Sequence, residues 1–328
     1  MNVLVVGGAG YIGSHMVRYL DSQGHHPVVL DNLSTGFRPA VVTGEFLEGD
    51  LGDKTLVKSI LKDKQIDAVM HFAACAQVNE SVVDPGKYYQ NNVVNALNLL
   101  ETMRECEVKR IVFSSTCATY GVPDVVPITE NESQAPINPY GFTKLVFERA
   151  LADYAAAYGF GYAALRYFNA AGASEDGKIG EDHDPESHLI PIVLEVALGQ
   201  RSHVTVFGND YPTPDGTCIR DYIHVDDLAA AHLLALEKLD DGVEIKLNLG
   251  TGNGFSVRQV IDACEEVTQV SIKQEDGERR EGDPPELVAD SSLAKQTLGW
   301  QPKYTDVRSV VETAWRWHQA NPNGYPKD

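Results

Sequence analysis

Residues 3–13 read Val3-Leu4-Val5-Val6-Gly7-Gly8-Ala9-Gly10-Tyr11-Ile12-Gly13 and are followed by a segment with the composition of a helix, Ser14 to Leu20. Four consecutive apolar residues are typical of a buried strand, and the glycines permit a tight turn into the helix. Backbone N–H groups and the macrodipole at a helix N-terminus favour a negative charge. The strand, the turn and the helix therefore predict a site for a pyrophosphate, although glycine-rich turns also occur for structural reasons alone.

Beyond this segment, short apolar runs alternate with stretches of helical character. This alternation predicts an α/β protein, built on a Rossmann-type doubly wound parallel sheet. Further strands are predicted at Pro27 to Leu30, Glu45 to Leu47, Ala68 to Phe72, Arg110 to Ser114, Ala163 to Tyr167 and Ile245 to Leu249, with helices at Val93 to Cys106 and Thr143 to Tyr158.

The composition of the chain changes after Phe168, where polar and turn-rich segments such as ASEDGKIGEDHDPES and GNDYPTPDGTC begin. Such segments predict insertions that form a smaller mixed α/β substrate domain. We expect residues 1–168 plus about 221–253 to form the nucleotide-binding domain. Residues of about 169–220 plus 254–328 would then form the smaller domain.

Charge and cysteine content narrow the classes of function. The 328 residues carry a formal charge of −20, which repels nucleic acid and anionic lipid, so neither is an expected partner. The first residues, MNVLVVGG, lack a cationic leader, and no window of about 18 residues is uniformly apolar, which predicts a cytoplasmic protein. Five cysteines without a CxxC pair suggest reduced thiols, with neither a disulfide framework nor a metal site.

Asp31 lies at the end of the second predicted strand, 18 residues after Gly13. Its carboxylate can accept hydrogen bonds from ribose hydroxyls and would repel a 2′-phosphate, so NAD is favoured over NADP as the cofactor. Asp50, after the third strand, is a candidate partner for the adenine amine, or an ordinary solvated aspartate.

Tyr140 and Lys144 are four residues apart in Pro139-Tyr140-Gly141-Phe142-Thr143-Lys144 and would share one face of a helix. An ammonium near a phenol lowers the pKa of the phenol, which would make Tyr140 a general base for oxidation of a secondary alcohol. Thr116 follows the fifth strand and would place a hydroxyl beside Tyr140, because ligands of such sheets bind at the carboxyl ends of strands. Without this context, a Tyr and a Lys at this spacing are common on helix surfaces.

Several segments together resemble the extended short-chain dehydrogenase/reductase family and, within it, the UDP-glucose 4-epimerases. The matching segments occur in the same order over nearly the whole chain: GGAGYIGSH, DNLSTG, HFAA, SSTCATYG, YGFTK, LRYFNAAGA, GNDYPTPDGTCIRDYIHV and RREGDPP. The resemblance implies reversible oxidation at C4 of UDP-glucose and UDP-galactose. The 4-keto sugar would rotate about its diphosphate link, so that the hydride returns to the opposite face. The resemblance also implies tightly held NAD, a homodimer, and roles for particular residues.

The residues that the resemblance assigns fall into three groups. Thr116, Tyr140 and Lys144 correspond to the catalytic positions. Contacts with NAD are implied for Gly7, Gly10, Tyr11, Ile12, Gly13, Asp31, Asn32, Asp50, Leu51, Phe72, Ala73, Ala74, Asn91, Tyr140, Lys144 and Phe168. Contacts with the UDP-sugar are implied for Thr116, Tyr140, Asn169, His188, Leu189, Thr205, Val206, Phe207, Arg220 and Arg280.

The chain departs from the family pattern at four of its positions. Thr116 and His188 stand where relatives often carry serine and asparagine, and Ala76 stands where relatives frequently carry lysine. Leu287 occupies a position of variable size that is thought to control entry of N-acetyl sugars. Its intermediate bulk leaves acceptance of N-acetylated sugars open.

Parts of this pattern also bear on three other functions and on assembly. An epimerase for another UDP-sugar shares all these motifs, whereas a 4,6-dehydratase would need acid and base groups where Cys117 and Ala118 stand. A non-catalytic NAD sensor would have no need for the catalytic residues. Apolar stripes in Leu97 to Cys106 and in the helix from Thr143 fit either a dimer interface or the core.

Overall fold

The computed structural model describes residues 1–280 and 282–326. Its first part contains, in order, β1 (Asn2–Val6), α1 (Tyr11–Ser22), β2 (His26–Asp31), β3 (Glu45–Glu48), α2 (Lys54–Asp63), β4 (Ala68–His71), α3 (Val78–Val83), α4 (Pro85–Tyr89), α5 (Ala96–Glu105), β5 (Arg110–Thr116), α6 (Pro139–Tyr158) and β6 (Gly161–Tyr167). Its second part contains β7 (Asn169–Ala171), α7 (Leu189–Ala197), β8 (Val204–Phe207), β9 (Ile219–His224), α8 (Val225–Glu237), β10 (Glu244–Leu249), β11 (Gly254–Ser256), α9 (Val257–Thr268), β12 (Gln274–Gly277), β13 (Glu286–Leu287), α10 (Ser292–Leu298) and α11 (Val307–Ala320).

The central sheet has seven strands in the order β10-β6-β5-β4-β1-β2-β3, and all neighbouring pairs are parallel. Val3 and Val5 pack on the side that α1 and α8 cover, whereas Leu4 and Val6 face α2, α5 and α6. Burial on both faces explains why the strands are continuously apolar. The order reverses between β1 and β4, where a crevice opens at the carboxyl ends of the strands.

The predicted fold class is confirmed, and the predicted strands of the central sheet are present with ends shifted by one or two residues. The helix predicted from Thr143 begins earlier, at Pro139. Asn138 accepts a hydrogen bond from Gly141 N at 2.8 Å, and a proline at the first position suits a helix start. Tyr140 therefore lies in the first turn of α6. The helix predicted from Val93 begins as a wide π turn at residues 90–95, which joins α4 to α5.

The second part of the chain forms two smaller sheets beside the large one. Strand β9 pairs with β7 and β13 in parallel and with β11 antiparallel, and β8 pairs with β12 in parallel. Helices α7, α9 and α11 share an apolar core with these strands. This arrangement is the mixed α/β region that the sequence predicted.

The division of the chain into two domains stays a prediction, and α10 packs against the part predicted to bind the nucleotide. Although it falls in the range predicted for the smaller domain, Leu298 and Trp300 lie in the core beside α8 and β10. The indole of Trp300 donates to Asp227 O at 3.0 Å. Among the described residues, no helix combines the length and the apolar character needed to cross a membrane.

Candidate active site

The glycine-rich turn connects β1 to α1 with almost no space for side chains. Gly7 has a φ of +81°, and a Cβ there would lie 2.4 Å from Ala73 N. A Cβ at Gly13 would lie 2.1 Å from Gly7 O. At Gly10, by contrast, a Cβ would have only Gly7 O within 4 Å, at 3.5 Å, so this position faces open space above the helix start.

The N-terminus of α1 retains its positive dipole end. Gly10 provides no side-chain cap, and no acidic residue lies in the first turn. Backbone N–H groups of Tyr11 and Ile12 therefore have no carboxylate of their own helix to neutralise them. The hydroxyl of Tyr11 donates to Gly172 O at 2.6 Å and ties the helix start to the segment after β7.

Asp31 lies against the same turn. Its carboxylate accepts hydrogen bonds from Ala9 N and Leu33 N, both at 2.9 Å. Burial raises the pKa of Asp31, and the two N–H donors oppose that rise. The structure thus places this carboxylate at the end of β2, beside the glycine-rich turn, where the sequence predicted a ribose contact.

Asn32 and Asp50 form a second polar pair at the carboxyl ends of β2 and β3. Asn32 Nδ2 donates to Asp50 Oδ2 at 2.7 Å, and Asp50 Oδ1 accepts from Gly52 N at 2.7 Å. These hydrogen bonds fix Asp50 in the crevice rim, although both residues remain exposed. Leu51, next in the chain, is 8% exposed.

The far wall of the crevice consists of the residues after β4 and β6. Phe72 N and Ala73 N donate to Val6 O at 2.8 and 3.0 Å, which continues the pairing of β4 with β1 to the floor of the crevice. Ala74 continues this segment, Asn91 lies in the π turn, and Phe168 follows β6.

Asn92 holds this wall together, and sequence reasoning did not single it out. Its side chain accepts from Cys75 N and donates to Cys75 O, both at 2.9 Å, and donates to Thr143 Oγ1 at 3.1 Å. It connects the segment after β4 to α6. The signal in the sequence is weak, because a polar residue inside a helix is ordinarily solvated.

Lys144 lies deep in the site, with a side chain that is almost fully buried. Its Nζ donates to Ser114 O at 2.7 Å and lies 5.9 Å from the centre of the Tyr140 ring. Burial lowers the pKa of Lys144 to about 7, although the negative charge of Glu148 opposes the change. The two residues share a helix face, as their spacing predicted.

Tyr140 behaves differently from the expectation. Burial raises the pKa of its phenol, and a hydrogen bond with the Thr116 side chain only partly offsets the rise. The prediction of a lowered pKa for Tyr140 is therefore wrong for the protein without NAD, because burial outweighs the groups that favour the phenolate. The physical reason is that the phenolate loses water, while the ammonium hydrogen-bonds with Ser114 O instead of the phenol.

A buried ion pair supports α6 from below. Arg166 donates to both carboxylate oxygens of Glu148, at 2.9 and 2.6 Å, and to the hydroxyl of Tyr120 at 2.8 Å. Tyr120 in turn donates to Asn248 Oδ1 at 2.7 Å. The side chains of the ion pair are 4% and 3% exposed, so the network is screened little by water. Sequence reasoning missed this pair, which joins α6 to β6.

Several of the predicted substrate residues lie on strands of the smaller sheets. Asn169 Nδ2 donates to Asp221 O at 3.1 Å at the start of β7. Thr205, Val206 and Phe207 lie on β8, where Val206 is buried in the core and offers only its backbone to a ligand.

Two arginines supply positive charge to this side. Arg220 donates to Ile219 O at 2.8 Å and to the carboxylate of Asp283. It also lowers the pKa of the Cys117 thiol against the effect of burial, which places it within electrostatic range of the residue after Thr116. The guanidinium of Arg280 lies 4.2 Å from the centre of the Phe207 ring.

His188 caps α7, directly before Leu189, and lies among acidic groups. Its Nδ1 is 2.9 Å from Glu186 Oε1 and 3.0 Å from Glu181 Oε1. Burial would lower the pKa of His188, but these two carboxylates raise it to about 10. The structure therefore gives this residue acidic neighbours that its predicted substrate role did not include.

A doubly wound sheet with a glycine-rich turn, a buried lysine and a half-buried tyrosine on one helix face defines a nucleotide-dependent enzyme of alcohol and carbonyl chemistry. The chain belongs to the NAD dependent epimerase/dehydratase family, whose model matches residues 3–250. The predicted family and NAD as the cofactor are thus confirmed.

Individual relatives cover the whole chain. It is 54% identical to the UDP-glucose 4-epimerase of Halalkalibacterium halodurans over 326 residues, which are 99% of this chain and 98% of the relative. A crystal structure of a UDP-glucose 4-epimerase superimposes with a TM-score of 0.97, at 52% identity and 100% coverage of both chains. The UDP-glucose 4-epimerase of Brucella ovis in complex with NAD gives a TM-score of 0.93 at 52% identity, covering 96% of this chain and 97% of that one.

Proposed function

We propose that this enzyme is a UDP-glucose 4-epimerase that interconverts UDP-glucose and UDP-galactose through a 4-keto intermediate. The observation that carries the proposal is the meeting of Thr116, Tyr140 and Lys144 at the carboxyl end of β5, beside the glycine-rich turn. Full-length relatives about half identical in sequence carry this activity in their names. Reversible oxidation at C4 accounts for all three side chains.

The crevice between β1 and β4 fits NAD. The uncapped start of α1 and the open space at Gly10 suit a pyrophosphate, and Asp31 at the end of β2 suits a ribose. Asn32 and Asp50 would contact the adenine end. NAD, when bound, supplies the acceptor and then the donor of the C4 hydride.

The side chains of this protein would move the proton of the C4 hydroxyl. Tyr140 Oη takes that proton as the C–H bond breaks and returns it when the C–H bond re-forms, and Thr116 hydrogen-bonds with the phenol. The phenolate of Tyr140 is the base for this step, and the buried ammonium of Lys144 would stabilise it before the proton is taken and after it is returned. Burial raises the pKa of Tyr140 in the protein without NAD, so the phenolate must form as NAD and substrate assemble in the site, before the C–H bond breaks.

Arg220 and Arg280 would hold the diphosphate of the UDP-sugar. In a protein with a formal charge of −20, an anionic substrate needs such a local concentration of cations. Guanidinium groups bind phosphate oxygens in a bidentate manner. Asp283, which now accepts from Arg220, would compete with the diphosphate for the same donor.

The 4,6-dehydratase alternative lacks its chemical groups. Burial raises the pKa of Cys117 to about 12, and the side chain of Ala118 has no proton to exchange. Neither residue can act as the acid or base that loss of water requires. Other UDP-sugars remain candidate substrates, because epimerases for them share the same motifs and the bulk of Leu287 is intermediate. Leu287 pairs with Arg220 between β13 and β9 and so borders the proposed diphosphate site.

The test is to incubate the purified protein, without added NAD, with UDP-galactose, UDP-N-acetylgalactosamine or UDP-xylose and to follow inversion at C4 by NMR. We expect UDP-glucose to form from UDP-galactose, and a Tyr140→Phe variant serves as the inactive control. Conversion of only another sugar would assign that sugar as the substrate. A 4-keto-6-deoxy product would support the dehydratase.

We also propose that the enzyme is a cytoplasmic homodimer. Tyr89, Val94 and Phe142 are 38–44% exposed and lie on neighbouring helices, with the rings of Tyr89 and Phe142 6.4 Å apart. A second copy would cover these side chains, whereas Leu99 and Met103 of the predicted stripe are buried in the core. The cytoplasmic location is supported by the five cysteines, which are all free, as expected in a reducing compartment. Sedimentation equilibrium of the wild type and of Phe142→Glu, which should dissociate, tests the dimer.

A further inference from the structure

Four side chains of the segment between β7 and α7 converge on one point outside the proposed catalytic centre. Glu181, His183, Glu186 and His188 each direct a ligand atom to it, and these atoms all lie within 4.8 Å of one another. Among the described residues, these four form the one group of histidines and carboxylates whose donor atoms are close enough together to hold a metal ion. The prediction of no metal site rested on the cysteines and did not consider the pattern E-x-H-x-x-E-x-H.

Three of the separations within this group are close to the edges of a tetrahedron around zinc. Glu181 Oε1 lies 3.3 Å from His183 Nδ1 and 3.0 Å from His188 Nδ1, and Glu186 Oε2 lies 3.6 Å from His183 Nδ1. Zinc–ligand bonds of about 2.0–2.1 Å in tetrahedral geometry place the ligand atoms about 3.3 Å apart. These three separations lie around that value, and no pair in the group is farther apart than 4.8 Å.

His188 Nδ1 hydrogen-bonds with Glu186 Oε1 at 2.9 Å, but hydrogen bonding leaves two other atoms of the cluster unsatisfied. Glu181 Oε1 and His183 Nδ1 are buried and have no hydrogen-bond partner, although they face each other at 3.3 Å. The side chains of Glu181 and Glu186 are only 4% and 5% exposed. A buried carboxylate with an unsatisfied oxygen, here Glu181, is costly unless a cation lies beside it.

The surroundings also orient the ligands. Glu186 Oε1 accepts from Ser187 N at 2.7 Å and from His188 N at 2.8 Å, which turns its other oxygen toward His183. Such hydrogen bonds to the non-ligating oxygen are typical of metal sites. Two imidazole nitrogens favour zinc over magnesium or calcium, which prefer oxygen ligands.

We propose that Glu181, His183, Glu186 and His188 form a structural zinc site. Four protein ligands leave no open position, so the ion would stabilise the fold and would not activate water. The site would fix the 172–188 segment against α1, where Tyr11 bonds to Gly172 O and its ring lies 6.1 Å from that of His183. It would thereby order one border of the cofactor crevice.

The experiment uses the full-length, tag-free protein with its nucleotide bound. Zinc is measured by mass spectrometry after purification and, after chelation, by titration with Zn²⁺ against a chromophoric chelator. The variants are Glu181→Gln and His183→Gln. The control is His203→Gln, because His203 is a partly exposed histidine 3.4 Å from a single carboxylate, that of Glu275.

We expect one zinc per chain in the wild type and in His203→Gln, and an affinity at least about 100-fold lower in the two cluster variants. Chelation should lower the melting temperature of the wild type and leave that of His183→Gln unchanged. Co²⁺ should give the intense visible absorption of a four-coordinate site, lost in Glu181→Gln even if the fold loosens. Absence of stoichiometric binding, or equal loss in His203→Gln, would overturn the proposal in favour of a metal-free ion-pair cluster.

Discussion

Replacing Lys144 with methionine should stabilise the NAD-free protein and at the same time stop its turnover. Burial lowers the pKa of Lys144 from 10.5 to about 7, so the folded protein holds this amine less readily in its charged form than the unfolded chain does. Each pH unit of difference corresponds to about 1.4 kcal/mol, which gives at most about 5 kcal/mol of destabilisation.

The sign and the size at a given pH follow from proton linkage. Between the folded and unfolded pKa values the unfolded chain binds more protons, so wild-type stability rises as the pH rises from 7 toward 10.5. The cost of the lysine is about 4 kcal/mol at pH 7 and about 2 kcal/mol at pH 9. Loss of the hydrogen bond to Ser114 O offsets about 1 kcal/mol. Lys144→Met should therefore be more stable than the wild type by about 3 kcal/mol at pH 7 and by about 1 kcal/mol at pH 9.

The assay is urea unfolding of the nucleotide-stripped proteins at both pH values, with epimerase turnover measured on the NAD-bound forms. Turnover of Lys144→Met should fall by at least about 100-fold. Lys178→Met is the control, because the Lys178 side chain is 70% exposed and its removal should change neither quantity. A variant no more stable than the wild type at pH 7, or a stability difference that does not shrink at pH 9, would refute the reasoning.

Three further predictions concern the site and its support. Tyr140→Phe should retain NAD, as seen by absorbance, and lose about 10²–10⁴-fold in kcat, because the phenol carries the proton; turnover within tenfold of the wild type would contradict this role. Glu148→Gln should lower the free energy of unfolding by about 3–5 kcal/mol, because it leaves Arg166 charged and buried. The double variant Glu148→Leu, Arg166→Met should recover much of that loss. Equal unfolding midpoints for Glu148→Gln and the wild type would contradict this prediction. Arg220→Ala should raise KM for UDP-galactose by at least about tenfold with NAD content unchanged, and an unaltered KM would exclude Arg220 from the diphosphate site.

Local patterns were sufficient to predict the architecture and the cofactor. The strand, turn and helix of residues 3–20 are contiguous, and the turn chemistry of Gly7 and Gly13 depends on backbone sterics that the residue types express directly. The same is true of the alternating strands and helices, because each strand buried on both faces reads as an apolar run. Lys144 and Tyr140 were likewise placed on one helix face by their spacing, although the start of α6 at Pro139 depended on the Asn138 cap.

What the sequence determined by itself is the order of the elements, the glycine-rich turn and the types of side chain available for catalysis, since all of these depend on neighbours in the chain. The tertiary structure alone decided the direction of the Tyr140 pKa, the burial of the Glu148–Arg166 pair, and the meeting of Asn92 with Cys75 and Thr143. Each of these depends on how much water is excluded and on distances between residues far apart in the sequence. Such quantities exist only once the chain has packed.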